Sequence, residues 1–423
     1  MPKSSSARLA VMMFLNYVVW GTWYTTIDTW LTATLHFTGT QAGAIFGTTA
    51  LASMISPFIV GYIADRFFSA ERLLSMLHLV GAVILYLVGR QHAFGAVYAL
   101  MLLYCICFFP TIPLTNTITL RHISNAATQF PLIRVFATIG WIVISLVIGG
   151  LHIESASTPF LLGSGLSIVM GLYCLTLPHT PPAGASRRAN WRQILGLDAL
   201  VLLKNRSYLV FLISSVLACI PLTFYFSFTN VYLNAVGWQN AAGKMSLGQA
   251  SEVIMMLLMP IIYRRFSIKT ILASGLLAWA IRYSFFAFGN PGAGVWMFYA
   301  AILLHGICFD FFVMTGQLYT DQEAPAHLRS TAQGFLTFLT YGVGMFVGSL
   351  LSGTSMDFFT TTTAGGAVVR NWTGFWLTSS IGSFAIFVLI LVLFRAKGVV
   401  QSKPVEADLG SVAFGDESVT APS

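Results

Sequence analysis

Residues 41–72 read QAGAIFGTTALASMISPFIVGYIADRFFSAER. The first part, residues 41–64, has no charged side chain and is long enough to cross a ~30 Å hydrocarbon core as a helix. Acidic and basic side chains follow directly, at Asp65, Arg66 and Arg72. A long apolar stretch with charges at its end is typical of a helix that spans a membrane and emerges at its surface.

The composition extends this interpretation to the whole chain. Of 423 residues, 56% are hydrophobic and only 9% are charged, and the mean hydropathy is +0.78. Because a soluble domain carries about 25% charged residues, these values exclude a soluble globular enzyme and a disordered protein. The net charge of +8 does not indicate nucleic-acid binding, since the basic residues stand at the ends of apolar segments.

The cysteines give no sign of a metal or redox centre. They lie in apolar segments without the spacing of a metal or redox motif. We therefore expect reduced packing residues, no metal and no cofactor. The five cysteines are Cys105, Cys107, Cys174, Cys219 and Cys308.

Apolar stretches of about 20 residues recur along the chain and predict an all-α membrane protein with two six-helix halves. We predict an N-terminal half at residues 1–177, a cytoplasmic linker at 178–206, a C-terminal half at 207–397 and a disordered cytoplasmic tail at 398–423. Within the linker, Trp191 to Leu203 is predicted to form an amphipathic helix along the membrane surface. The predicted transmembrane helices are 10–34, 41–64, 72–90, 94–120, 131–151, 157–177, 207–233, 245–263, 268–288, 294–319, 328–352 and 372–395.

The basic residues predict the orientation. If the N-terminus is cytoplasmic, most of the 22 Lys and Arg residues fall in inside segments, whereas the outside loops hold only Arg90, Lys244 and Arg370. This imbalance places both termini in the cytoplasm and requires an even number of crossings. The N-terminal residues MPKSSSARLA precede a long span without a small-residue cleavage site, so we expect no cleaved signal peptide.

The loop after the second predicted helix contains Gly61, Asp65, Arg66 and Arg72. This pattern resembles the signature of the major facilitator superfamily, G-x-x-x-D-R followed by a further basic residue. A glycine allows two helices to approach closely, and the acid–base set can lock the cytoplasmic ends in one conformation. We therefore expect a conformational switch here. The alternative, ordinary positive-inside charges, does not require the glycine and the aspartate in this register.

Charges within the predicted spans are functional candidates, because each costs about 2.5–3.5 kcal/mol on insertion scales. The acidic ones are Asp28, Glu252 and Asp310, and the basic ones are Arg134 and Arg282. Three of them also have an interpretation without a direct role in transport. In that interpretation Asp28 lies in an outer vestibule, Arg134 is a structural counter-ion, and Arg282 is structural or snorkels to the interface.

Polar and aromatic residues share helix faces with two of these charges. Arg134, Thr138 and Trp141 follow the spacing i, i+4, i+7 and lie on one face of the fifth helix. Gln249 and Glu252 share a face of the eighth. These groups could stack on a polar ring-shaped solute and bind its hydroxyls, although Trp141 could equally pack against lipid or the core.

The tenth predicted helix adds an imidazole and a second carboxylate. His305 and Phe309 lie on one face, with Asp310 about 100° away. His305 could instead be a satisfied histidine against a packed neighbour. Because the local environment of a carboxyl group controls its protonation, we predict that Asp310 and Glu252 take part in proton coupling.

The set of motifs resembles the nucleoside:proton symporters of the major facilitator superfamily, typified by the enterobacterial nucleoside permeases. The resemblance runs from about Asn16 to Arg395 and covers most of the chain. It implies a nucleoside site between the two halves. The motifs that carry it are NYVVWGTWYTT, GYIADRFFSAER, FFPTIPLTNTI, FPLIRVFATIGW, LTLPHTP, LGLDALVLLKN, QASE, CFDFF and RSTAQGFL.

The resemblance also implies roles for individual residues. Matched positions are expected to contact the ribose and base or to take part in proton coupling. They are Arg134 and Thr138, Gln249 and Glu252, and Phe309 and Asp310.

Four further candidate contacts depart from the enterobacterial pattern. Trp141 stands where the enterobacterial permease has a smaller aromatic residue, and His305 replaces a tyrosine. Thr223 and Phe226 occupy the positions of polar amides. These departures leave the preferred nucleoside open.

Together these inferences predict a symporter, not an enzyme, that imports nucleosides with protons across a bacterial inner membrane. Its partners would be the nucleoside, the proton and the lipid bilayer, with no nucleic acid, and we expect a monomer. The main competing function is a major facilitator transporter of another polar solute, such as a sugar or oligosaccharide. A drug exporter, or an intramembrane enzyme or receptor, would fit the motifs less well.

Overall fold

The computed structural model describes residues 3–59, 68–182 and 197–395. In these ranges the chain forms helical segments that we number α1 to α12, six before the predicted linker and six after it. Their bounds are Lys3–Gly21 (α1), Gly39–Ile59 (α2), Ala70–Val88 (α3), Phe94–Arg121 (α4), Ala126–Gly150 (α5), Thr158–Cys174 (α6), Arg206–Ala235 (α7), Ala241–Arg265 (α8), Ile268–Phe288 (α9), Val295–Glu323 (α10), Ala326–Phe358 (α11) and Trp372–Leu393 (α12).

Several segments change helix type along their length. α1 continues through a turn into Ile27–Thr29 and then into the π-helical stretch Trp30–Thr34. α10 contains the π-helical stretch Asp310–Met314, and α11 contains Phe338–Gly344. π-Helical turns inside longer helices are frequent at functional sites, and one of these begins at a predicted site residue.

Polar side chains cap the start of four segments. Asn205 accepts hydrogen bonds from the Ser207 and Tyr208 amides, at 3.0 and 3.4 Å. Asn125, Ser267 and Asn371 cap α5, α9 and α12 in the same way. Such caps satisfy amides that have no partner within the helix.

Nine segments of the described chain are long and apolar enough to cross a membrane: α3 to α5 and α7 to α12. Their outward faces carry large apolar side chains, since Leu257 is 74% exposed, Ile381 67% and Val83 61%. Apolar side chains this exposed, on so many helices, are expected in lipid rather than in water. That α1, α2 and α6 also cross stays a prediction.

The two halves touch where small residues let helices approach closely. A Cβ atom on Gly39 of α2 would lie 2.5 Å from the Gly353 carbonyl oxygen of α11. Gly149 of α5 similarly packs against Asn240 and Gly243 at the start of α8. All these residues lie at one end of the molecule, opposite the chain's N-terminus, and we call this region the closed end.

Two carboxylates tie the halves together at the closed end, each capping a helix of the other half. Asp357 of α11 accepts from the amides of Gly39 (2.5 Å) and Thr40 (2.8 Å), the first residues of α2. Glu154, which follows α5, accepts from the Ala242 amide of α8 at 2.7 Å. It also accepts from the Asn234 side chain of α7 at 2.5 Å. Carboxylates suit helix N-termini because unpaired amides and the helix dipole favour negative charge.

A third link joins α1 to α7. The Thr29 hydroxyl donates to Asn230 Oδ1 at 2.6 Å, and Asn234 Nδ2 donates to the same oxygen at 3.0 Å. The polar chain from α1 through α7 thus reaches Glu154. Away from the closed end, the described residues form one further side-chain hydrogen bond between the halves, from Ser53 to the Tyr341 carbonyl oxygen.

One loop region differs from its sequence prediction, and another contains structure for which no prediction was made. Residues 197–203, the described part of the predicted amphipathic helix, lie in a 3₁₀-helix, Leu197–Lys204, with Ala199 and Leu202 buried. The loop between α11 and α12 contains an antiparallel hairpin of β1 (Thr360–Thr362) and β2 (Val368–Arg370). Burial lowers the pKa of Arg370 in this hairpin, and the nearby Asp357 charge opposes that effect.

Some predictions fall outside the described residues. These include Gly61, Asp65 and Arg66 of the predicted switch, residues 191–196 of the linker and the tail 398–423. Arg72, the last residue of that motif, lies exposed in the first turn of α3. The switch therefore stays a prediction.

Candidate functional site

Arg134 of α5 and Glu252 of α8 face each other between the two halves. The Arg134 Nη2 atom donates to the Tyr17 hydroxyl at 2.8 Å, and its guanidinium carbon lies 4.5 Å from the Tyr17 ring centre. Arg134 is close enough for its charge to act on Glu252, yet no ion pair within 4.0 Å joins the two groups. Both therefore keep hydrogen-bonding capacity for a third partner.

A second basic group reaches Glu252 through His305. The His305 Nε2 atom lies 3.7 Å from Glu252 Oε2, and Arg282 Nη1 lies 3.0 Å from His305 Nδ1. Arginine has only donors, so Nδ1 must accept and the neutral ring carries its proton on Nε2. Arg282 thereby fixes the tautomer of His305 and directs an N–H toward Glu252.

Arg282 is fully buried and has a further partner in Tyr225. Its guanidinium carbon lies 3.6 Å from the centre of the Tyr225 ring. A cation over an aromatic face is stabilised by the ring's electrons, which compensates part of the cost of burying the charge. This role is structural, as one of the sequence interpretations proposed, but it acts directly on a candidate site residue.

A glycine brings α8 and α10 together at this point. A Cβ on Gly306 would lie 2.5 Å from the Ser251 carbonyl oxygen and 2.8 Å from the Glu252 amide nitrogen. The Gly306 amide also donates to Ser251 Oγ at 3.0 Å. The absence of a side chain at residue 306 thus lets His305 lie beside Glu252.

Aromatic rings from the N-terminal half form one wall of the site. Trp141 is buried and meets Trp20 edge-on, with ring centres 5.2 Å apart, and Tyr24 at 5.6 Å. Tyr24 in turn contacts Phe226 of the other half at 5.7 Å. An aromatic surface therefore continues across the boundary between the halves.

The C-terminal half supplies a second aromatic group around His305. The Phe309 ring stacks on His305 at 5.6 Å, and the Tyr225 ring stacks on it at 5.3 Å. Phe226 meets the imidazole edge-on at 6.2 Å. His305 is consequently held by rings as well as by Arg282.

Asp310 is a further buried candidate, on α10. It is fully buried and begins the π-helical stretch of α10. Neither of its carboxylate oxygens has a hydrogen-bond partner among the described residues. It lies within electrostatic range of Glu252, so the two predicted proton-coupling carboxylates are neighbours.

Not every predicted site residue joins this cluster. Thr223 is fully buried against α11, and its hydroxyl donates to the Cys219 carbonyl oxygen at 2.7 Å and contacts Met345 Sδ at 3.4 Å. Thr138 and Gln249 are half-buried on the helices that carry Arg134 and Glu252. Within the described part of the chain, neither forms a side-chain hydrogen bond.

Sequence reasoning did not select three aromatic residues of α1 and of the turn that follows it. Tyr17, Trp20 and Tyr24 follow the spacing i, i+3, i+7, which places them on one helix face. That spacing was a usable signal, since the same rule grouped Arg134 with Trp141.

Comparisons with known proteins give consistent results over nearly the whole chain. The family described as Nucleoside H+ symporter matches residues 3–398. The Escherichia coli (strain K12) protein YegT is 38% identical over 403 residues, covering 92% of this chain and 94% of YegT. The xanthosine permease of the same organism is 33% identical, covering 93% of this chain and 96% of the permease.

A solved structure has the same architecture. The crystal structure of the nucleoside transporter NupG superposes with a TM-score of 0.85 at 29% sequence identity, covering 94% of this chain and 100% of that one. This match confirms the predicted major facilitator fold. It leaves the number of membrane crossings as a prediction.

Proposed function

Because this chain belongs to the nucleoside H+ symporter family, we propose that it imports nucleosides together with protons. The family and the relatives are those of transporters, and the protein is not an enzyme. The name of the family supports proton coupling, and the names of the xanthosine permease and NupG support a nucleoside substrate. The proposal concerns the cargo, the coupling and the direction.

The observation that carries the proposal is the unpaired arrangement of Arg134 and Glu252 between the two halves. A nucleoside has ribose hydroxyls that can donate to a carboxylate and base acceptors that can receive from a guanidinium. Its flat base fits an aromatic wall such as that of Trp141 and Phe226. One ligand would thus bind groups from both halves, as alternating access requires.

The proposed direction is import, because a proton gradient directed into the cell drives the cargo of a symporter inward. With both termini in the cytoplasm of a bacterial inner membrane, the closed end faces outward and lies between the site and the outside. Import then requires the hydrogen bonds of Glu154 and Asp357 to break, so that the site opens outward in turn. We propose that a single copy of the chain performs this cycle.

Proton coupling is assigned to Glu252 and Asp310. A carboxyl group whose access to water and to a guanidinium changes with conformation can bind and release a proton. Glu252 meets this condition because Arg134 belongs to the opposite half. Asp310 lies within electrostatic range of Glu252, so protonation of one affects the other.

The test is uptake of labelled uridine and adenosine into vesicles that contain the purified protein, with and without an inward proton gradient. We expect accumulation that collapses when a protonophore is added. Equilibration without accumulation would contradict proton coupling. Absence of nucleoside movement by folded protein, with uptake of a sugar instead, would overturn the nucleoside assignment and favour a sugar transporter of the same fold.

A further inference from the structure

Asp28 is a buried carboxyl group without a role in the proposed transport cycle. It lies in the short helical stretch Ile27–Thr29 that continues α1 and is 1% exposed. Neither carboxylate oxygen has a hydrogen-bond partner among the described residues. Burying an ionised carboxylate without a partner is strongly unfavourable, so this environment favours the neutral acid.

The groups around Asp28 do not supply a counter-charge. The Ser227 hydroxyl of α7 faces the carboxyl group, and Tyr24 on its own segment is the nearby titratable side chain. α2, which packs against this stretch, has no acidic, basic or histidine residue between Gly39 and Ile59. The charged residue of α7 is Arg206, at the opposite end of that helix.

An acidic group linked to this region, Glu154, already has hydrogen-bond partners. Glu154 connects to the neighbour of Asp28 only through Asn234 and Asn230, which links to Thr29. Its carboxylate accepts from Asn234 and from the Ala242 amide. Glu154 therefore has two hydrogen-bond donors for its charge, whereas Asp28 has no counter-charge within the described chain and only the Ser227 hydroxyl near its carboxyl group.

Asp28 also lies on a surface that must open. Its neighbour Thr29 forms the α1–α7 hydrogen bond between the halves, next to the carboxylate caps of the closed end. If the halves part here, as the proposed function requires, water reaches the carboxyl group and removes the penalty on its charge. The charged form is compatible with the parted state and unfavourable in the closed one.

We propose that Asp28 binds a proton when the two halves close around it and releases that proton when they part. Closure of this end is then linked to pH. For one proton, the ratio of closed to open molecules changes by up to about tenfold per pH unit over the range in which the two states differ in protonation. This site is additional to Glu252 and Asp310, and it rests on the proposed cycle only in that the halves must separate.

The test measures the distance across the closed end without any nucleoside. Spin labels are placed at Ser155→Cys and Gln239→Cys, two exposed positions on opposite halves, in a chain whose native cysteines are replaced by serine. Pulsed electron spin resonance in lipid nanodiscs from about pH 5 to about pH 8 covers the range in which a perturbed carboxyl group titrates. We expect a short distance at low pH and a growing longer population at high pH.

Two variants and a control separate Asp28 from other acids. Asp28→Asn, which cannot ionise, is expected to keep the short distance at every pH. Asp28→Glu should keep the pH dependence with a shifted midpoint. The exposed Asp198→Asn should behave like the unchanged chain. If Asp28→Asn folds poorly, the infrared C=O band of a protonated carboxyl that is lost on closed-to-open conversion provides the same test, and a shift of that band in Asp28→Glu assigns it to residue 28.

Three results would overturn the proposal. The first is a pH response of the label distance in Asp28→Asn equal to that of the unchanged protein. The second is a label distance that does not change with pH in the unchanged protein. The third is a label distance that changes with sodium concentration at constant pH. None of these depends on nucleoside uptake. Failure of the proposed function and failure of this inference are therefore distinguishable.

Discussion

Carboxylates at the closed end and carboxylates at the centre of the molecule have opposite surroundings. At the closed end, Asp357 and Glu154 each cap a helix of the other half through backbone amides at 2.5–2.8 Å. At the centre, Glu252 has His305 at 3.7 Å and Arg134 beyond ion-pair distance, and Asp310 has no hydrogen-bond partner within the described chain. The protein itself supplies hydrogen-bond donors to the two carboxylates of the closed end, whereas the two central carboxylates keep unused acceptor sites.

This difference indicates two uses of the same chemical group. A carboxylate with two amide partners forms strong charge-assisted hydrogen bonds, and these hold one conformation. A carboxylate with unused acceptor sites inside the bilayer region is costly unless a ligand or a proton completes it. The closed end thus contributes conformational stability, while the centre contributes binding and coupling.

The largest expected effect comes from removing the central charge. Glu252→Gln keeps the size of the side chain but cannot change its charge, so we expect no accumulation of nucleoside above the external concentration. Uptake into vesicles under an inward proton gradient measures this. The exposed Asp198→Asn is the control, and full accumulation by Glu252→Gln would remove Glu252 from the coupling machinery.

Asp310 tests whether coupling involves both central carboxylates. We expect Asp310→Asn to lose the pH dependence of uptake, because a neutral amide cannot exchange a proton at that position. Initial rates across a pH series give the result. A pH-dependent accumulation equal to that of the unchanged chain would exclude Asp310 as a coupling residue.

Arg134 should matter nearly as much, through binding rather than coupling. A hydrogen bond to a charged group contributes up to about 3 kcal/mol, and Arg134→Ala should therefore weaken nucleoside binding by about 100-fold. Binding to detergent-purified protein by calorimetry measures this directly. Arg134→Lys keeps the charge but loses the planar fork, so its nucleoside affinity should lie between those of the unchanged chain and Arg134→Ala. Near-normal binding by Arg134→Ala would refute the assignment.

The closed end should be more tolerant. Glu154→Gln keeps one acceptor oxygen for the Ala242 amide but loses the charge, at a cost of about 1.5 kcal/mol, or about tenfold in the closed population. Labels at residues 155 and 239 measure that population. Asp357→Asn is the matched variant in the other half, and an unchanged population in both would show that these caps do not hold the halves together.

The smallest effect is expected at Thr223, where sequence and structure point to different roles. Its hydroxyl contacts Cys219 and Met345, both within the C-terminal half. Thr223→Val has the same size, so it should change nucleoside affinity by less than about twofold. The lost hydrogen bond should lower the free energy of unfolding by about 1 kcal/mol. Competition binding with uridine and adenosine measures the affinity. A tenfold loss would restore Thr223 as a ligand contact.

The sequence predicts the helices well because each must be apolar over the thickness of a bilayer. It does not predict the π-helical stretches of α10 and α11, since a shift of one hydrogen-bond register leaves the composition unchanged. It also cannot predict the hairpin after α11, whose short strands carry little periodicity.

For the candidate site, the sequence identified the charged residues within the predicted spans, because charged side chains are rare in transmembrane segments. The proximity of Arg134 to Glu252 was foreseen as a counter-ion interpretation. The contact of Arg282 with His305 depends on how α9 packs against α10, which no spacing within one helix reveals. The role of Thr223 in ligand binding came from the family resemblance and stays a prediction, because the polar residues of α7 are not confined to one face and its periodicity does not indicate which side meets the cavity.

The close approach of α2 and α11 has a consequence for how this gene would mutate under selection. Gly39, Gly43 and Gly47 form a row spaced by four residues, and any side chain there would meet Ser349 or Gly353 of the facing helix. Cells challenged with a toxic nucleoside analogue that enters through this carrier would survive by losing transport. We expect resistant clones to carry alanine, serine or larger replacements in that row, although none of its three glycines is a candidate site residue.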